Sequence, residues 1–88
     1  MNITLSKARK LAKIQLGRWL KSKRLNRDVH IKSFAVKIGC DLEDYQLYEA
    51  GELDCLDFDM NKIISALSLN TNEQHELLNL MCATIKPI

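Results

Sequence analysis

Apolar residues recur every three or four positions through the first part of the chain, at Leu5, Ala8, Leu11, Ala12, Leu16, Trp19 and Leu20. This is the period of one buried helical face, so Leu5 to Leu25 reads as a single long helix. Asp28 ends its basic run, and Ile31, Phe34, Ala35 and Ile38 repeat the pattern over two turns before Gly39, a residue suited to the left-handed end of a helix. Asp41 is placed to cap a third short helix carrying Leu42, Tyr45 and Tyr48, with Ala50 and Gly51 behind it. Glu52 to Asp59 reads as an acidic loop whose apolar members Leu53, Cys55, Leu56 and Phe58 tuck beneath the next helix. Met60, Ile63, Ile64 and Leu67 form helix four. Asn70 and Thr71, followed three residues later by Glu73 and Gln74, have the spacing of a capping box. They open a fifth helix with Leu77, Leu78, Leu80, Met81 and Ile85, stopped by Pro87. Nothing alternates with a period of two, so the expected class is all-α with five helices.

At 88 residues, 47% of them apolar, the chain has material for one core and one domain. So short a chain buries only roughly 60–65% of its unfolded surface, and dimerisation would add useful stability. The surplus apolar residues of the fifth helix fit either of two roles, the contact of a homodimer or the closing of the core of a small domain. No stretch has the character of a secretory leader or a bilayer span, so no membrane partner is expected and the protein reads as cytoplasmic. Cys40, Cys55 and Cys82 are odd in number and widely spaced, which supports neither a disulfide framework nor a metal site; they read as small buried residues.

Charge changes the picture more than composition does. Residues 1–37 carry eleven Lys and Arg against Asp28 alone, a local charge of +10; residues 38–61 carry eight acids and no base, a local charge of −8. Segregation this complete points to partners of opposite sign, or to protomers meeting head to tail.

Two short helices around a glycine turn, with Phe34-Ala35 before Gly39 and Tyr45 after it, have the spacing of a helix-turn-helix: a small residue for close approach, a turn glycine and an apolar lock. The wider span resembles the lambda-repressor-like (Cro/C1-type) helix-turn-helix proteins without an insertion. Leu16-Gly17 and Leu20 match the first-helix signature, and Lys21-Ser22-Lys23-Arg24 looks like the first helix of phage repressors. Arg24 and Glu49 match the family's paired Arg and Glu, Gly51 follows the third helix, and Met60, Ile63, Ala66 and Leu67 match the fourth. The resemblance covers residues 16–69, between a basic helix-one extension over 1–15 and a C-terminal helix over 71–86. It implies a compact five-helix domain in which Arg24 and Glu49 pair to clamp helix one to helix three.

The resemblance also implies a DNA-binding transcriptional regulator, usually dimeric, with helix three in the major groove of double-stranded DNA. The base-reading positions fall on Leu42, Glu43, Gln46 and Leu47, with Arg18, Lys21, Lys23 and Lys37 as the phosphate contacts. Gln46 is an ordinary reader of adenine. Glu43 can accept from a cytosine amino group, and either leucine can meet a thymine methyl. The chain departs from the pattern where the family's phosphate-contacting Gln becomes Ile31 and where its basic loop becomes Glu52-Leu53-Asp54. These departures give the alternative reading, a helix-turn-helix turned protein-interaction module. In that reading Asp44, Glu52 and Asp54 join Glu43 and the leucines in an acidic face that binds a basic protein or mimics DNA. Enzyme chemistry is not expected: His30 and His75 lie far apart, no nucleophile has a recognisable setting and no glycine-rich phosphate loop is present, so no cofactor is implied.

Overall fold

The computed structural model describes residues 3–52 and 60–85. Five helices follow one another: α1 (Ile3–Asn26), α2 (Ile31–Ile38), α3 (Leu42–Glu49), α4 (Met60–Leu67) and α5 (Thr71–Ile85). No strand occurs among the described residues, and none of their helices is long and apolar enough to cross a membrane. Of the acidic loop expected over Glu52 to Asp59, residues 53–59, Asp54 and Cys55 among them, lie outside the described residues, as does Pro87.

Each of the first four helices stops in the same way. A residue one or two positions past the helix turns left-handed, at Asp28 (φ 54°), Gly39 (φ 73°), Gly51 (φ 78°) and Ser68 (φ 51°). The following amide then reaches back to a carbonyl of the last turn: Val29 N to Arg24 O at 2.9 Å, Cys40 N to Ala35 O at 2.9 Å, Glu52 N to Leu47 O at 2.9 Å and Leu69 N to Ile64 O at 3.1 Å. These are Schellman ends, which satisfy carbonyls that a helix would otherwise leave open and turn the chain within two residues. Glycine takes that conformation without steric cost at Gly39, where the turn between α2 and α3 has to be tight.

The helix starts differ more. His30, exposed, caps α2 by accepting from the Lys32 amide at Nδ1, 3.2 Å away. Asp41 occupies the N-cap of α3, but its side chain makes no capping hydrogen bond, so its contribution there is its charge near the helix dipole. α5 opens on a reciprocal capping box: Glu73 N donates to Asn70 Oδ1 at 2.8 Å, and Asn70 N donates to Glu73 Oε1 at 3.0 Å.

One core joins all five helices, with Leu16 and Leu20 of α1, Phe34, Ala35 and Ile38 of α2, Tyr45 and Tyr48 of α3, Ile63 and Leu67 of α4, Leu77 of α5 and Leu69 just before it. The Phe34 and Tyr45 rings meet edge to face, 5.0 Å between centroids and 70° between planes, locking α2 to α3. α1 lies along both α3 and α5, while α2 packs on α3 and α4.

Two expectations about burial are corrected. Leu11 is 59% exposed: the helical period sets it about 140° around α1 from Leu16, so it shares no face with the core stripe. The cysteines are not a buried set, since Cys82 is exposed and Cys40 is half-buried, its thiol 3.4 Å from the Asp41 carbonyl. Burial pushes the Cys40 thiol pKa up, and the neighbouring carboxylates of Asp44 and Asp41 add to that. Trp19, expected on the core face, packs against the core while half-buried.

Candidate interaction face

α3 is set against α1 by a missing side chain and an ion pair. A Cβ built on Gly17 would collide with the Glu49 carbonyl oxygen and stand only 2.6 Å from that of Tyr48. Only glycine lets the last turn of α3 lie so close to the α1 backbone. Seven residues further along α1, two turns of the helix, Arg24 grips the side chain of Glu49: Nε donates to Oε2 at 2.8 Å and Nη2 to Oε1 at 3.2 Å. Both side chains are less than a tenth exposed. The third guanidinium nitrogen, Nη1, donates to the Val29 carbonyl at 3.0 Å, so the left-handed end of α1 also orients the arginine. The hydrogen bond to Glu49 raises the Arg24 pKa despite burial. Tyr45 lies beside this pair; burial, then the Glu49 carboxylate, push its phenol far above the ordinary range.

With its Tyr45 and Tyr48 side turned inward, α3 presents Glu43, Asp44, Gln46 and Leu47 as exposed residues, Leu47 at 37%. Leu42 is half-buried at the start of the helix, and Glu52 is exposed just past its end. Among the described residues no base pairs with Glu43, Asp44 or Glu52.

The bases assigned to phosphate divide. Arg18, Lys21 and Lys37 are exposed. Lys23 is engaged instead: its Nζ lies 3.0 Å from Glu73 Oε2 and 5.5 Å from the centre of the Trp19 ring. Glu73 also accepts from Arg27 Nη2 at 2.6 and 2.8 Å, tying α1 to α5. The backbone amide of Asn70, then Arg27 and Lys23, hold the Glu73 carboxyl down to a pKa of about 2.

This cluster is absent from the expectations above, where Glu73 has only a local capping role. The signal lies in α1: at 100° per residue, Lys23 and Arg27 fall within about 20° of Leu16, on the inward stripe. Cations on a core-facing stripe need an acid from a packed neighbour. Lys62 is a second addition. With Lys37, Ser65 and Ala66 it lines an open groove of about 270 Å³ between α2 and α4. No group of His, Cys, Asp and Glu among the described residues could hold a metal ion.

What the geometry defines is a small all-helical domain whose third helix is held by its inward side and leaves an acidic, partly apolar ridge outside. No protein-family model, curated protein or solved structure matches the chain.

Proposed function

We propose that the chain is a lambda-repressor-like helix-turn-helix protein of the Cro/C1 type, acting as a DNA-binding transcriptional regulator with an atypical, acidic recognition helix. The observation carrying this reading is the mounting of α3: Gly17 and the Arg24–Glu49 pair hold its inward side, while Glu43, Gln46 and Leu47 stand outward together. A helix supported in this way is a rigid reader of a major groove. Gln46 is the side chain suited to adenine, Glu43 to the cytosine amino group and Leu47 to a thymine methyl. Arg18, Lys21 and Lys37 supply the phosphate contacts.

Fluorescence anisotropy with duplex DNA tests the proposal. Binding should weaken steeply with salt, each phosphate contact adding about 0.9 to the slope of log affinity against log salt. Gln46→Ala should lose about 1–3 kcal/mol of discrimination at one base pair, leaving the salt slope intact. Absence of any binding at low salt would end this reading.

The exposure of Glu43, Asp44 and Glu52 around Leu47 favours a second reading, a protein-interaction module whose acidic face receives a basic protein. Charge reversal at Glu43 and Asp44 should then abolish the partner contact, and intact binding by that variant would exclude it.

A further inference from the structure

α1 contains no acid, and its outward side is a continuous ribbon. Lys7, Leu11, Arg18 and Leu25 fall within about 40° of one line along the helix, with Lys10 and Lys21 beside them. All six are exposed, Leu11 at 59% and Leu25 at 55%. None of the four cations has an ion pair among the described residues. α3 is the reverse case: it contains no base, and Glu43 and Asp44 stand exposed beside Leu47. Neither helix can neutralise its own outward side. Each carries what the other lacks, cations with a leucine on one and acids with a leucine on the other.

We infer that the outward side of α1 docks on the outward side of α3 in a second copy of this chain. Arg18 and Lys21 face Glu43 and Asp44, and Leu25 covers Leu47. The lengths agree: Arg18 to Leu25 spans about 10 Å of helix and the eight residues of α3 about 12 Å. This half of α1 is also the half fixed by Gly17, Leu20 and Arg24, so it meets its partner already ordered. The contact covers the same ridge as the DNA reading and stands independently of it, because it forms between protein molecules alone.

The test is the solution mass of the full chain without nucleic acid, measured by light scattering between about 0.01 M and about 1 M salt, over which the Debye length falls from about 30 Å to about 3 Å. The mass should exceed 10.1 kDa at low salt and return to 10.1 kDa at high salt. Arg18→Glu with Lys21→Glu, and separately Glu43→Lys with Asp44→Lys, should each remain monomeric at low salt with an unchanged helical circular-dichroism spectrum. Mixed together, the two variants should associate again, because reversed acids then meet reversed bases. A wild-type mass of 10.1 kDa at low salt would overturn the inference, leaving the α1 ribbon to DNA or to another acidic protein. So would association that survives either double reversal, or a mixture that stays monomeric.

Discussion

Ser68 ends α4 at φ 51°, a conformation that glycine holds at Gly39 and Gly51. An L residue there costs roughly 1–2 kcal/mol, and short polar Asp28 tolerates the same geometry better than serine does. Ser68→Gly removes that strain while adding some freedom to the unfolded chain. The expected net gain is about 0.5–1 kcal/mol, read from the urea midpoint at unchanged slope. Gly17 is the opposite case. Adding one methyl, Gly17→Ala, drives a carbon into the carbonyls of Tyr48 and Glu49, backbone atoms that cannot step aside. The loss should be about 1–3 kcal/mol by the same measurement, although alanine is the better helix former. A stable Gly17→Ala variant would mean that α1 and α3 are further apart than described.

At the scale of elements, two carboxylates join the helices, and their roles differ. Glu49 is enclosed with Arg24, so Glu49→Ala strands a buried guanidinium and should cost about 3 kcal/mol or more. Replacing both partners, Arg24→Met with Glu49→Leu, should cost much less than the two single changes together, because neither leaves a buried charge. A double-mutant cycle in urea measures the difference. Glu73 joins α1 to α5 and has a folded pKa of about 2 against an unfolded value near 4.5. A depressed carboxyl stabilises the fold in full above the unfolded value, and the contribution fades as pH falls towards about 2. Stability should therefore drop between these two pH values, and Glu73→Gln should flatten that part of the profile; an identical acid limb in the variant would contradict the assigned role.

The helices were legible because each carries its own punctuation: Gly39 closes α2, Asn70 and Glu73 open α5, and the spacing of Ile31, Phe34, Ala35 and Ile38 sets one face of α2. The Lys23–Arg27–Glu73 cluster was not legible, because its members are brought together by packing of α1 on α5 across 46 positions of sequence. Leu11 misled for a different reason. Interval counting accepts any apolar residue three or four positions from the last, while the angle accumulated along α1 carries Leu11 about 140° from Leu16.

Over the whole molecule, charge was the readable property and its placement was not. The sequence separates bases from acids, but only the structure separates the cations engaged in ion pairs, Arg24, Lys23 and Arg27, from the exposed Arg18, Lys21 and Lys37. The candidate face was legible in the same partial way. Glu43, Gln46 and Leu47 stand outward, whereas Leu42 is half withdrawn at the start of α3. Any ligand that α3 receives therefore meets one exposed leucine, Leu47, rather than two.

Trp19 is the single tryptophan of the chain, packed on the core with its buried indole nitrogen unpartnered, and over its ring lies the ammonium of Lys23, which joins the seam between α1 and α5 through Glu73. That position makes the protein its own optical gauge. If the seam opens before the rest of the core, indole emission will move to longer wavelength at a lower urea concentration than the loss of helical ellipticity. Coincident curves would instead mark a seam that parts only when the whole domain does.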